Sequence, residues 1–210
     1  MLLILFGAPG VGKGTIAQRL QEDGVGRQVS TGDLFRKEIS VDSEVGQIAK
    51  KYIYVGQLVP DDITRKIVEN EIAGNGNILL DGYPRTVKQI QDLNEILASH
   101  CMKVNLVVNV VTDENIVIDR IVNRVICANC HAIYNKKYCP PKISGKCDKC
   151  NGSVIHRSDD SEEIVKNRFK EYEKKTSPLL EYYRKNSKFI KVDSDDSNAI
   201  EKIKQALRST

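Results

Sequence analysis

The sequence predicts an α/β fold, a parallel sheet flanked by helices and broken by one small cysteine-rich insert. Three observations predict it. Short, wholly apolar runs of strand length alternate with helix-length segments. The first of these runs ends in a glycine-rich turn that opens a helix. Over residues 126–157 the composition changes abruptly, with five of the six cysteines and two of the six prolines in that stretch. Parallel strands need crossover connections, which helices supply, and those crossovers are right-handed almost without exception.

The elements follow in order. Leu2 to Phe6 is a continuous apolar run ending at Gly7, as expected for a strand buried on both faces. Lys13 to about Asp23 reads as a helix that Gly24 and Gly26 stop before a short strand, Arg27 to Val29. Helices are predicted near 33–40, 44–53 and 61–73; Asp61 is the expected N-cap of the last, with Ile63, Ile67, Val68 and Ile72 on one face. Asn75-Gly76 breaks it. A buried strand, Ile78 to Asp81, runs into Gly82-Tyr83-Pro84-Arg85, a helix from about Thr86 to Ser99 follows, and Val104 to Val111 is the third long strand. Thr112 is the expected cap of a helix reaching about Val125. Beyond the insert, Ser161 caps a helix, Ser177 and Pro178 read as N-cap and first position of another, Phe189 to Val192 is a strand, and 197–208 a final helix.

With 210 residues, 40% hydrophobic and 29% charged, the chain can bury one substantial core. The apolar run Met1 to Phe6 is too short to span a bilayer and lacks the flanks of a secretory signal, so the expectation is a soluble, cytoplasmic protein with no membrane partner. A net charge of +4 falls short of the imbalance of a dedicated nucleic-acid binder. Without an export signal, paired cysteines point to metal rather than disulfides.

Three groups of residues carry chemistry. Gly7 to Thr15 fits Gly-x-x-x-x-Gly-Lys between a buried strand and a helix, the setting of a phosphate-binding loop. Glycines let backbone N–H groups turn toward phosphate oxygens, the helix N-terminus adds partial positive charge, and Lys13 adds a full one. Gly14 follows the lysine, leaving Thr15 as the nearest hydroxyl, and Asp81 at a strand end can hold a magnesium-bound water. Arg36, Arg85, Arg120, Arg124, Arg157 and Arg168 sit near element ends or flank the insert, where guanidinium groups suit phosphate oxygens. Cys127-x2-Cys130-x16-Cys147-x2-Cys150 has the spacing of a four-thiolate zinc site. The insert has too little apolar content for a core, so a metal would supply the missing folding energy, and a closed four-sulfur shell is structural. His131 is an alternative ligand, Cys139 reads as a free thiol and Cys101 as a small buried residue. No Ser-His-Asp or Cys-His nucleophile set is visible.

Five ordered segments resemble adenylate kinases over essentially the whole chain. They are Gly7 to Thr15, Ser30 to Arg36, Gly56 to Asp61, Leu80 to Thr86 with Gln89, and Arg157 to Asp160 with Arg168. The resemblance implies a nucleoside-kinase-like phosphate-loop core at 1–122 and 161–210. It also implies a monophosphate-binding region at 30–59 and a zinc-bearing lid at 123–160. Gly10, Val11, Gly12, Lys13, Gly14 and Thr15 would then hold the ATP phosphates, with Arg120 and Arg124 on the lid side and Ile133 and Tyr134 near the base. Thr31, Arg36, Gly82, Arg85 and Gln89, with the backbone of Gln57, Leu58 and Val59, would bind AMP, Gln89 reading the adenine. Lys13, Arg85, Arg124, Arg157 and Arg168 would be the catalytic cations, the last two also reaching AMP. Asp159 and Asp160 resemble the acidic pair of the lid hinge. Implied with these are Mg2+ travelling with the nucleotide, structural Zn2+, ADP as product, and a monomer. Two positions depart from the family's usual sequence: Asn123-Arg124-Val125 replaces Gly-Arg-Arg, and the phosphate loop ends Gly-Thr-Ile.

Two other readings compete. A phosphate-loop ATPase could use its cysteine module, with Lys136, Lys137, Lys142, Lys146 and Lys149, to contact nucleic acid, although only Tyr134 and Tyr138 offer aromatic faces there. A kinase acting on UMP or CMP is the other; Thr31 and the spacing from Pro84-Arg85-Thr86 to Gln89 favour adenine.

Overall fold

The computed structural model describes residues 1–74 and 76–209; the helix break expected at Asn75 lies outside the described residues. In chain order the elements are β1 (Leu2–Phe6), α1 (Lys13–Glu22), β2 (Arg27–Ser30), α2 (Thr31–Ser40), α3 (Glu44–Ile53) and α4 (Asp61–Ile72). Then come β3 (Ile78–Asp81), α5 (Val87–Ser99), β4 (Val104–Val111), α6 (Glu114–Val122), and the insert strands β5 (Arg124–Cys127), β6 (Ile133–Asn135) and β7 (Val154–His156). The chain closes with α7 (Glu162–Glu171), a π-helical segment (Tyr172–Thr176), α8 (Leu179–Asn186), β8 (Phe189–Asp193) and α9 (Ala199–Arg208).

Five parallel strands run in the order β2-β3-β1-β4-β8. The two-residue period of the central strands divides the core into two layers. Leu2, Ile4 and Phe6 of β1, Ile78 and Leu80 of β3 and Val107 of β4 face a layer closed by Val68, Ile72, Leu93 and Tyr183. Their neighbours Leu3, Leu5, Leu79, Leu106, Val108 and Val110 face the opposite layer, closed by Ile16, Leu20, Val117, Ile121, Val165 and Ile203. A strand buried on both faces must be apolar at every position, which is why these segments read as unbroken runs. Phe35, Ala49, Ile53 and Val59 form a separate small cluster among α2, α3 and the following loop, and Ile63 and Ile67 pack there while Val68 and Ile72 pack on the sheet.

The insert builds its own antiparallel sheet, β6-β5-β7. Its start corrects one expectation: α6 ends at Val122 rather than 125, because Arg124–Cys127 is drawn into pairing with β6 and β7. Asp113, not Thr112, caps α6, its carboxylate accepting from the Asn115 N–H at 2.9 Å, while the Thr112 hydroxyl donates to Asp195. Asp61 is the first residue of α4 rather than its cap, and its carboxylate turns to Thr86 and Gln89 instead. Ser177 does not cap α8 either: it stays helical at φ −55°, ψ −40°, its N–H bonded to Tyr172 O, because the π-helical segment carries the chain round without leaving helical geometry. Cys101 is exposed rather than buried, at φ 52° just past α5. Ser161 does cap α7, and Ser30 and Thr86 cap α2 and α5. No helix is long and apolar enough to cross a membrane among the described residues.

Candidate active site

The central strand β1 delivers the chain to the phosphate loop at the carboxyl edge of the sheet, between β3 and β4, where open α/β sheets form their ligand crevices. Two glycines are obligatory there. Gly7 has φ 145°, and a Cβ would lie 2.3 Å from the Val110 carbonyl oxygen; Gly10 has φ 79°, and a Cβ would drive into Ile121 and Val117. Lys13 opens α1 and folds back, its Nζ donating to the Gly7 and Ala8 carbonyls, each at 2.8 Å. Burial pulls its pKa down to about 8, against the attraction of Asp81 and with the help of Arg85, Arg124 and Arg168.

A cleft of about 510 Å³ opens over this loop. Of the nucleotide-binding residues expected from the sequence, all but Val11 line it; the Val11 side chain packs into the core, so that position can offer only backbone. Arg36, Arg85, Arg124, Arg157 and Arg168 converge on the cleft from α2, the β3–α5 turn, β5, the β7–α7 connection and α7. Most of them hold carboxylates. Arg36 bonds Asp33 at 2.6 Å and Asp159 at 3.1 Å, and Arg157 bonds Asp33 at 3.3 Å. Arg124 grips Asp160 with two nitrogens at 2.8 and 2.6 Å, and Arg168 joins Asp159 to Asp160. Arg85 donates Nε to the Gly82 carbonyl at 2.7 Å, and burial brings it down to about 10.

Counting Lys13, six cations face Asp33, Asp81, Asp159 and Asp160. The excess of positive charge is uncompensated in a desolvated place, which favours an anion. Burial raises Asp81, opposed by Lys13, whereas Arg36 and Arg157 overcome burial and hold Asp33 down to about 2. The Nε atoms of Arg36 and Arg157 are buried without a partner among the described residues, donors suited to phosphate oxygens. Arg120 stands apart from this group at the β8 end, bonded to Asp195, Thr112 and Ser194.

On the other side of the cleft, Thr31 donates its hydroxyl to the Gly82 carbonyl at 2.9 Å, and Gln57, Leu58 and Val59 form the wall after Gly56. Gln89 is buried, its Oε1 accepting from the Arg85 N–H and its Nε2 donating to Asp61, both at 2.7 Å. Ile133 and Tyr134 of β6 reach over the loop; a Cβ on Gly14 would come within 2.9 Å of Ile133 Cδ1. The Tyr134 hydroxyl, however, turns away to Cys147 Sγ at 3.3 Å and to the Asp148 N–H at 2.8 Å.

In the insert, the ligand atoms of Cys127, Cys130, Cys147 and Cys150 lie within 4.8 Å of one another. Two equivalent turns present them. Cys127-x-x-Cys130 is closed by His131 at φ 59°, whose N–H bonds Cys127 O, and Cys147-x-x-Cys150 by Asn151 at φ 57°, whose N–H bonds Cys147 O. Backbone N–H groups of Asn129 and Cys130 point at Cys127 Sγ and that of Lys149 at Cys147 Sγ, stabilising negative sulfur. Four soft donors so arranged fit one tetrahedral metal ion. The cluster consists of the four cysteines; His131 is the turn residue beside it, and Cys139 is exposed.

Asp33, Ser194 and Asp195 carry site contacts that no motif announced, and Asp61 was expected only as a helix cap. Asp33 and Arg36 stand three apart on one helix, a spacing that could have exposed the first. Asp61 and Asp195 act across 25 to 83 positions and left no local signal.

A family model described as adenylate kinase matches residues 5–188. The chain belongs to the adenylate kinase family. It is 42% identical to an adenylate kinase of Thermosipho melanesiensis over 99% of this chain and 100% of that protein. An adenylate kinase of Archaeoglobus fulgidus is likewise 42% identical, over 97% of this chain and 94% of its own length. One from Clostridium kluyveri is 40% identical over 100% and 97%. Membership in the adenylate kinase family makes the chain a nucleoside monophosphate kinase, a phosphotransferase, on an α/β phosphate-loop fold. The cysteine cluster matches the zinc-lid type within that family.

Proposed function

We propose that the chain catalyses reversible transfer of the γ-phosphoryl group of magnesium-bound ATP to AMP, giving two ADP. A phosphate oxygen of AMP forms the new bond to the γ-phosphorus, the bond to the β-γ bridging oxygen breaks in line, and the electron pair leaves with ADP. No enzyme side chain becomes phosphorylated. The observation that carries this reading is the ring of Lys13, Arg36, Arg85, Arg124, Arg157 and Arg168 around one cleft. Charge spread over a transferring phosphoryl group is stabilised by fixed cations, and catalysis here is positioning plus electrostatics.

Gly10 to Thr15 hold the ATP phosphates through backbone N–H groups, with Val11 contributing backbone alone; Arg120, Ile133 and Tyr134 bound the ATP side. Thr31, Gln57 to Val59, Gly82 and Gln89 bound AMP, while Arg36, Arg85, Arg157 and Arg168 meet its phosphate. Each arginine exchanges a carboxylate or carbonyl for a phosphate when the nucleotides enter, so Asp33, Asp159 and Asp160 keep the guanidiniums in place beforehand. Asp81, facing Gly14 across the cleft, would hold a water of the magnesium ion that travels with ATP. Cys127, Cys130, Cys147 and Cys150 would hold zinc, which supplies folding energy to the insert and no chemistry to the reaction.

In this reading residues 1–122 and 161–210 are the core, 30–59 binds the monophosphate, and 123–160 is a lid that excludes water from the transfer. Contacts between the Tyr54 and Ser158 hydroxyls, and between Lys149 of the insert and Glu22 of α1, support closure of both regions over the cleft. Six unpaired thiols suit a reducing, cytoplasmic setting; the monomeric state rests on the family resemblance. A turnover assay of AMP, GMP, CMP and UMP with ATP tests the reaction, AMP being the expected acceptor. Gln89→Ala should raise KM for AMP and leave that for ATP unchanged; equal loss for both would overturn the assignment of the AMP side.

A further inference from the structure

Gln89 lines the cleft at the start of α5, and both ends of its amide are held by groups whose hydrogen-bonding sense cannot change. The Arg85 backbone N–H can only donate, so the atom it meets at 2.7 Å is Oε1. The Asp61 carboxylate can only accept, so the atom on its Oδ1 at 2.7 Å is Nε2. Asp61 is itself fixed through its second oxygen, Oδ2, by the Thr86 hydroxyl at 2.9 Å, and that hydroxyl accepts from the Gln89 N–H at 3.1 Å as the cap of α5. Thr86 binds Gln89 and Asp61 into one closed ring spanning α4 and α5.

An amide has two N–H donors and two lone pairs, so Asp61 and the Arg85 N–H together consume half of each. What remains for a base entering the cleft is one N–H beside one lone pair, in an order that cannot reverse. Turning the amide over would set Nε2 against the Arg85 N–H and Oε1 against the Asp61 carboxylate, two repulsive contacts in a buried place. Adenine offers an amino donor beside a ring-nitrogen acceptor, which this order meets once the phosphate, anchored at the arginines, fixes the sense in which the base lies. Hypoxanthine and guanine offer a carbonyl acceptor beside a ring N–H donor, the reverse order. We propose that Asp61 is a specificity-determining positioning residue: by locking the sense of the Gln89 amide, it makes the acceptor site accept a 6-aminopurine and reject a 6-oxopurine. The proposal rests on AMP being the acceptor.

Inosine monophosphate is the probe, since it differs from AMP only along the edge that Gln89 would read. For the native chain kcat/KM should strongly favour AMP over inosine monophosphate. Asp61→Asn keeps the shape of the side chain but lets it donate as well as accept, and should cut that preference by at least about tenfold, most of it through a higher KM for AMP, with KM for ATP unchanged. In a Gln89→Ala background the same substitution should leave the preference as it is, because Asp61 acts through the amide. If Asp61→Asn proves too unstable to assay, Asp61→Ser, too short to reach Nε2, reads the same ratio. Parallel loss of AMP and inosine monophosphate turnover with the preference intact, or a native chain that does not discriminate between them, would overturn the proposal. A native chain that discriminates against AMP itself would instead remove the acceptor assignment beneath it.

Discussion

The sheet core and the cysteine insert of one chain stay folded by different means. On each side of the five-stranded sheet, sixteen buried side chains among the described residues form a continuous apolar layer. The insert's cluster is Val125, Cys127, Ala132, Tyr134 and Cys147 with Val154 packed against it, and two of the buried five are metal-ligand candidates. Burying a large aliphatic side chain is worth about 1.5–3 kcal/mol, so the core stands on packing alone, while five residues cannot offset the ordering of some thirty. The two regions meet at the cleft, where the core gives Lys13 and Arg85 and the insert gives Arg124. Rigid strands aim one set of charges, and the small insert sheet beside the four-cysteine cluster aims the other.

The largest expected effect separates chemistry from folding in the core. Lys13→Met should lower kcat by about 10²–10³-fold while the far-ultraviolet spectrum and metal content stay native. The same residue gives a pH signature. Its folded pKa of about 8 lies below the ordinary 10.5, so between these values the unfolded chain binds more protons than the folded one. Relative to Lys13→Met, the native chain should therefore gain stability as pH rises from 8 toward 10.5. Its kcat/KM for ATP should fall above pH 8 as the ammonium is lost, a limb absent from the Met variant.

Next come paired substitutions, one per region. Leu80→Ala in β3 should cost about 2–5 kcal/mol in a single denaturation transition of the whole core, with metal retained. Cys147→Ser should do the converse, releasing the metal and making residues 123–160 protease-sensitive while shifting the main transition less than Leu80→Ala does. If the core melts as far with Cys147→Ser as with Leu80→Ala, the two regions are one cooperative unit and the contrast is wrong. The smallest effect probes the shell of the sulfur site: Tyr134→Phe removes the hydroxyl on Cys147 Sγ while keeping the ring that borders the cleft, and should weaken metal binding by about tenfold in a chelator competition.

Local physics alone made much of this molecule legible. Wholly apolar β1, β3 and β4, the glycine turn before Lys13, the Ser161 cap and the two Cys-x-x-Cys turns each depend on residues a few positions apart, so the sequence determined them and, through them, the fold class. The ends of elements escaped where a distant partner won. Val125 left its helix because two insert strands offered backbone hydrogen bonds, and Ser177 lost its capping geometry to a π-helical bend that brings Thr176 Oγ1 to the Arg85 carbonyl at 3.1 Å. The arginines could be named from the chain, but which carboxylate each would hold could not, since Asp33 meets Arg157 across 124 positions. Asp61 is the clearest instance. In sequence it is an ordinary helix-start carboxylate. Only the packing of α4 against α5 brings it within 2.7 Å of Gln89, because hydrogen bonds act over a few ångströms of space whatever the distance along the chain.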